Sequence, residues 1–167
     1  EIAGYFRALA ADLQGGGDRA ESHIRYDIDM RFRPVTLVDT HLVCDDIAIL
    51  TIDRRVNVLA GEFIYLWIPG VGEKPLSALH DDPFSLGVID VGLFTHTLMD
   101  LPPGTEAYVR GPHGIPVSPP VDARIMAVAG GTGLAAVYQI ARDFGNAEVF
   151  AGARSAGRLY YLDECRR

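Results

Sequence analysis

Gly130, Gly131 and Gly133, with Thr132 among them, stand where the apolar run Ile125 to Ala129 meets the amphipathic run Leu134 to Phe144. A short, uncharged apolar run fits a strand covered on both faces, and the glycines then form a tight turn into a helix. Residues without side chains permit positive φ and let another molecule approach the backbone. The unpaired N–H groups that open the helix suit an anion. A nucleotide or phosphate site is one reading of the loop and a turn made only for packing is the other; on the glycines alone both stay open.

The dinucleotide fingerprint asks for more: an acidic residue about 20 positions on, at the end of the next strand, to hold a ribose. The next strand here is Ala147 to Ala151, and it runs into Gly152-Ala153-Arg154-Ser155 with no acid in place. A Rossmann dehydrogenase of the usual kind is therefore disfavoured. Arg154 and Ser155 would instead grip a phosphate, so any nucleotide affinity is expected not to favour NADH strongly over NADPH.

Composition sets the outer bounds. The 167 residues are 49% hydrophobic, enough for one good core or for two small, closely packed units. No apolar run approaches the roughly 20 residues of a membrane span. The chain opens Glu1-Ile2-Ala3-Gly4, without the basic-then-apolar pattern of a signal peptide, so a leader is expected to be absent or already removed. A formal charge of −7 with no Lys/Arg cluster argues against nucleic-acid binding. Cys44 and Cys165 are far apart with no second pair to complete a metal site, so the expectation is two unpaired thiols in a reducing, cytoplasmic setting. The five histidines show no pair at helical spacing.

Along the chain, Ile2, Phe6, Leu9 and Leu13 share one helical face, and Gly15 to Gly17 stop the run. Residues 1–29 read as a helix and linker appended to a fold that starts near Met30. From there to Arg110 the pattern is six short strands: around Phe32 to Leu37, Ile47–Ile52, Glu62–Ile68, Lys74–Leu79, Phe84–Val91 and Thr105–Arg110. Such spacing suggests a small antiparallel barrel. The third strand alternates Phe63, Tyr65 and Trp67 with Ile64, Leu66 and Ile68, which predicts a core on one side and a second layer on the other. Gly92 to Leu101 reads as a short helix, and the proline-rich Gly111 to Pro120 as a loop holding a domain boundary. One βαβ unit and a terminal helix over Gly157 to Cys165 follow.

The order of these motifs resembles the ferredoxin reductase superfamily, and within it the electron-transfer subunits of dihydroorotate dehydrogenase B. The likeness is carried by Gly61-Glu-Phe-Ile-Tyr-Leu-Trp-Ile-Pro-Gly-Val-Gly-Glu-Lys-Pro-Leu-Ser77, by Val91 to Thr95 with Val109 to Gly114, and by Arg124 to Tyr138 with Gly152 to Ser155 and Tyr160 to Glu164. It implies β barrel plus α/β: a six-stranded antiparallel, FAD-binding barrel over 30–119, then a truncated parallel βαβ nucleotide-binding unit over 120–167, part of an NAD(P)-binding domain.

The resemblance also implies roles. Lys74, Pro75, Leu76 and Ser77 match a flavin motif, with Lys74 meeting the pyrophosphate or the reduced ring and the Ser77 hydroxyl donating near flavin N5 as the catalytic contact. Gly92 and Thr95 would hold the diphosphate, although ordinary helix capping explains them equally well. Gly130, Gly131, Thr132, Gly133, Arg154 and Ser155 would meet NAD(P)H. Ala136 replaces the family's usual proline, and neither the four-cysteine iron–sulfur motif nor the later nicotinamide-holding strands occur before Arg167. The implied function is a flavin-dependent electron-transfer oxidoreductase module of pyrimidine biosynthesis, without an iron–sulfur cluster of its own, joined to a partner subunit or a second copy. A non-catalytic structural or regulatory subunit that keeps the same fold is the alternative.

Overall fold

The computed structural model describes residues 31–166, so the helix and linker expected over 1–29 lie outside the described residues. Seven strands form one antiparallel system: β1 (Arg33–Cys44), β2 (Ile47–Ile52), β3 (Glu62–Ile68), β4 (Gly72–Leu76), β5 (Ala78–Asp81), β6 (Phe84–Ile89) and β7 (Glu106–Gly114). Their spatial order is β4-β3-β7-β1-β2-β6-β5. β1 pairs with β7 over Arg33 to Thr36 and with β2 from Leu37 onward, so one long strand serves both halves and irregular register at Leu37/Asp39 turns it between them.

The two strands at the ends of that order, β4 and β5, are separated in sequence by Ser77 alone. One residue spans only about 3.3–3.6 Å of extended chain, so the sheet has to curl until its edges meet. Covalent continuity at Ser77 thus makes the seam of a barrel. The expected count of six strands is corrected here to seven, because Lys74–Leu79 is not one strand but two that leave the seam in different ladders.

The barrel is filled by Val35, Leu37, Leu50, Ile52, Ile64, Leu66, Ala78, Phe84, Leu86 and Val109, each under 5% exposed. Inward Ile64, Leu66 and Ile68 follow the expected alternation on β3. The outward face differs from expectation: among the described residues no second layer covers Phe63, Tyr65 and Trp67. They pack instead with neighbours on their own sheet, Phe32 and Tyr108 against Trp67 and the Arg110 guanidinium 4.1 Å from the Tyr65 ring centroid. These contacts leave the face half-buried.

Helix α1 (Leu93–Asp100) follows β6 and anchors in the barrel through Phe94 and Leu98. Strand β7 runs on to Gly114, so Gly111 to Gly114, read above as loop, is strand. After it come β8 (Ile125–Gly130), helix α2 (Gly133–Asp143) and β9 (Ala147–Gly152), with β8 and β9 paired in parallel. Ala127, Ala129, Leu134 and Val137 of this unit pack with Ile47 and Ile89 of the barrel, and Ala135 packs with Ile49 and Leu79. The unit is therefore seated on the outer side of β2, β5 and β6. Gly157 to Cys165 does not form the expected helix: two 3₁₀ turns, Ala156–Arg158 and Glu164–Arg166, flank Tyr161, whose φ of 56° lies in the left-handed region and breaks any helical run.

Gln139 ties the two parts with a strained economy. It is fully buried on α2, its Nε2 donates to the Val58 carbonyl at 3.4 Å, and its Oε1 has no partner among the described residues. A long hydrogen bond contributes little, whereas a buried orphan acceptor costs about 1–3 kcal/mol. Gln139→Met, close in volume, is therefore expected to leave the free energy of unfolding within about 1 kcal/mol of wild type or to raise it. Gln139→Ala should lower it by about 2 kcal/mol or more through the cavity it opens. Urea denaturation of both distinguishes these outcomes; equal losses would mean that the amide, not the volume, holds α2 to the barrel.

Candidate functional site

Two clefts lie next to each other between the barrel and the βαβ unit. The first, of about 640 Å³, is lined by Lys74, Pro75 and Leu76 of β4, Gly87 and Ile89 of β6, Val91 to Thr95 at the start of α1, and Thr132 of the glycine loop. The second, of about 790 Å³, is lined by Gly130, Gly131, Gly152 and Arg154 with Asp46, Asp90 and Arg158. Ile89 and Val91 belong to both walls.

In the first cleft, β4 is an edge strand that pairs only with β3, and it presents Lys74 exposed and Leu76 half-buried. Lys74 has no ion-pair partner among the described residues, so its charge is available to a ligand. Gly92 takes an extended φ of 172°, and a Cβ built there meets nothing within 4 Å. The Thr95 hydroxyl accepts from the Val91 and Gly92 amides at 3.1 and 3.2 Å and donates to the Gly92 carbonyl at 3.1 Å. Thr95 therefore acts on the helix start itself, the capping role given above as the other explanation. The first intrahelical bond runs from the His96 amide to the Gly92 carbonyl, which leaves the amides of the first turn of α1 facing the cleft region without helical partners. No acid stands in that turn, and an anion would meet a favourable dipole.

Ser77 is not among the lining residues of this cleft. It occupies the barrel seam directly after Leu76, half-buried, with its hydroxyl making no hydrogen bond among the described residues. One turn into α1, His96 is held by Asp90 at 2.9 Å, and that hydrogen bond, with Asp100 a turn further on, pushes the imidazole pKa up.

In the second cleft the glycines divide their work. Only Gly131 has a positive φ, 54°, and its amide donates to the Gly152 carbonyl at 3.2 Å, tying the loop to the end of β9. Gly130 ends β8, and Gly133 opens α2 exposed. Thr132 is the N-cap residue, but its hydroxyl makes no capping bond. Its carbonyl accepts from the buried Tyr160 hydroxyl at 3.4 Å, and burial pushes that phenol's pKa well up. Arg154 lines the cleft; Ser155, next to it, is exposed outside the lining.

Lys74, Pro75, Leu76, Gly92, Thr95 and Thr132 thus share one wall, and Gly130, Gly131 and Arg154 share the next, while Ser77, Gly133 and Ser155 stand apart from both. Residues that sequence reasoning missed are Gly87, Asp46, Asp90 and Arg158. Gly87 carried a signal, since a lone glycine inside a strand marks a close approach. A Cβ there would lie 3.3 Å from the Tyr160 hydroxyl and 3.4 Å from the Ala135 Cβ. Asp46 and Arg158 carried none, because what joins them is the tertiary fold.

An antiparallel barrel followed by a strand–glycine loop–helix–strand unit, with adjoining clefts at their junction, is the architecture of ferredoxin reductase-like proteins, and the chain shares it. Its curated relatives include a "Probable dihydroorotate dehydrogenase B (NAD(+)), electron transfer subunit" of Pyrococcus abyssi, 35% identical over 134 residues that make 78% of this chain and 53% of the relative. The protein of the same description from Methanopyrus kandleri is 33% identical, with 80% of this chain and 54% of the relative covered. Among solved structures, an Amycolatopsis cytochrome P450 reductase superposes with a TM-score of 0.68 at 25% identity, covering 80% of this chain and 47% of that one. The ferredoxin reductase of carbazole 1,9a-dioxygenase reaches a TM-score of 0.72 at 19% identity, over 82% and 46% of the two chains, a likeness of fold. No protein-family model matches the chain. The chain spans about half the length of the curated relatives it matches.

Proposed function

We propose that this chain is the flavin- and nucleotide-binding part of an electron-transfer oxidoreductase, with FAD in the Lys74–Thr95 cleft, NADH or NADPH over the Gly130 loop, and electrons passed on to a partner subunit or a second copy. By its likeness to the relatives named above, the acceptor is a dihydroorotate dehydrogenase of pyrimidine biosynthesis. The observation that carries this reading is the common wall of Ile89 and Val91, through which a ligand of one cleft adjoins a ligand of the other. The free thiols of Cys44 and Cys165 fit a reducing, cytoplasmic setting. Among the described residues no helix is long and apolar enough to cross a membrane.

The residues present fit a flavin dinucleotide. Lys74 and the open first turn of α1 supply a cation and N–H donors for a diphosphate, while Pro75, Leu76 and Gly87 leave a low, apolar wall suited to a flat ring. Bound flavin would supply hydride acceptance and onward electron release. Lys74 offsets negative charge at that site. Ser77, half-buried with an uncommitted hydroxyl at the seam, is the candidate donor to a ring atom that gains charge. Thr132 keeps the nucleotide loop against the flavin cleft, held from behind by Tyr160.

The test is titration of the purified chain with FAD, followed by absorbance, and reduction by NADH and NADPH. Lys74→Ala should weaken FAD binding about tenfold, with much of that loss reproduced in wild type by raising the salt, because the lysine is exposed. Ser77→Ala should cost at most about tenfold in affinity and slow reduction by more than that. A chain that binds no flavin, or variants that bind and reduce like wild type, would leave the barrel as a non-catalytic scaffold.

A further inference from the structure

The nucleotide cleft is lined by two arginines and two aspartates, and one of each is already paired across it. Arg158, from the 3₁₀ turn after β9, places Nη2 2.7 Å from Asp46 Oδ2, in the turn between β1 and β2. The two side chains are only 33% and 21% exposed, and Asp46 Oδ1 is buried without a hydrogen bond among the described residues. Asp46 cannot swing away with its turn: its carbonyl accepts from the Asp90 amide at 2.8 Å, and the next residue, Ile47, is buried in the cluster that joins the barrel to β8 and α2. Arg154, in the same cleft, has no ion-pair partner among the described residues.

We propose that Asp46 is a specificity-determining residue of this cleft: by holding Arg158 to the barrel, it sets how far the site prefers an adenosine ligand with an extra phosphate over one with a free ribose diol. The inference rests on the nucleotide-binding reading of the Gly130 loop. The carboxyl end of the second strand is where a bound dinucleotide presents its ribose, and the segment after β9 carries both arginines there. An added phosphate meets Arg154 without competition. It engages Arg158 only by displacing a carboxylate whose backbone is pinned beside it, and that carboxylate then repels it. A neutral diol disturbs neither group. Asp46 therefore cancels, for phosphate-bearing ligands, most of the gain that a second arginine would bring.

Isothermal titration of the full chain with adenosine 5′-monophosphate and adenosine 2′,5′-bisphosphate tests this directly, without flavin or turnover. Asp46→Asn should strengthen binding of the bisphosphate about three- to tenfold while the monophosphate stays within about twofold. Asp46→Glu, which keeps the charge, should behave like wild type. In an Arg158→Gln background, Asp46→Asn should change the ratio by clearly less than it does beside Arg158, since only the direct repulsion between carboxylate and phosphate is then left to relieve. An unchanged ratio in Asp46→Asn, or a change of the same size with and without Arg158, overturns the proposal while leaving the nucleotide site standing. Wild type that binds neither ligand removes the nucleotide reading and this inference with it. Circular dichroism melts of each variant separate loss of binding from loss of fold.

Discussion

Gly92→Asp is expected to abolish FAD retention while leaving the protein folded and at least as stable as wild type. Residue 92 is the N-cap of α1, with extended backbone and open space where a Cβ would stand. Aspartate at an N-cap accepts from the amides of the first turn and suits the dipole, adding about 0.5–1 kcal/mol over glycine at most. Those amides are the ones proposed to meet a diphosphate. A carboxylate there occupies the donors and sets a negative charge against another, so flavin affinity should fall about a hundredfold or more. Stability and binding are expected to move in opposite directions here, so a thermal melt and an FAD titration together decide the matter. A variant that melts higher and still binds FAD like wild type would show that α1 starts where it does for helix stability alone, as the Thr95 hydroxyl network by itself would suggest.

Local pattern made much of the barrel legible. Ile47–Ile52 is apolar and buried throughout except at Thr51, and β3 alternates as its sequence does. The reading broke where structure depends on closure. Nothing local in Lys74–Leu79 marks Ser77 as the place where two sheet edges meet; that follows only from the strand order. Gly157 to Cys165 has apolar spacing compatible with a helix, yet Tyr161 adopts φ 56° while Tyr160 is buried among barrel and α2 residues, a tertiary demand that overrides periodicity.

The site divides in the same way. The Gly130 to Gly133 loop announced itself through glycine, but only Gly131 uses glycine's freedom in φ; Gly130 and Gly133 lie outside the positive-φ region. Lys74 to Ser77 would pass for an ordinary turn and gained meaning from the resemblance and from standing between β3 and α1. Asp45-Asp46 looks like a solvated turn, and its partner Arg158 lies at the other end of the chain. Pairing across a cleft between two packed units leaves no trace in spacing.

Gly61→Ala is expected to be the most damaging single methyl group in the described chain, costing about 3 kcal/mol or more. Gly61 has φ 92°, where an L-residue is strained by about 1–3 kcal/mol whatever surrounds it. Its surroundings add to that: a Cβ would lie 2.9 Å from Val117 Cγ2, 3.0 Å from the Ile115 carbonyl oxygen and 3.1 Å from the Val117 amide nitrogen. Two of these atoms are backbone, and the Val117 amide is itself bound to the Ala60 carbonyl at 2.7 Å, so the clash cannot be relieved by turning a side chain. Overpacking of this kind costs typically about 1–3 kcal/mol. The segment that has to move is the connection from β7 to β8, and the βαβ unit should shift with it against β2, β5 and β6, widening the junction where both clefts lie. Gly70→Ala is the matched control, since Gly70 also has positive φ, 79°, but nothing within 4 Å of its Cβ position. Its loss should be confined to the backbone term, about 1 kcal/mol. Guanidinium denaturation of the two variants measures the difference, which is the packing cost of the crossing alone. Equal losses would show that the 115–117 segment yields freely and that the seating of the βαβ unit does not depend on it.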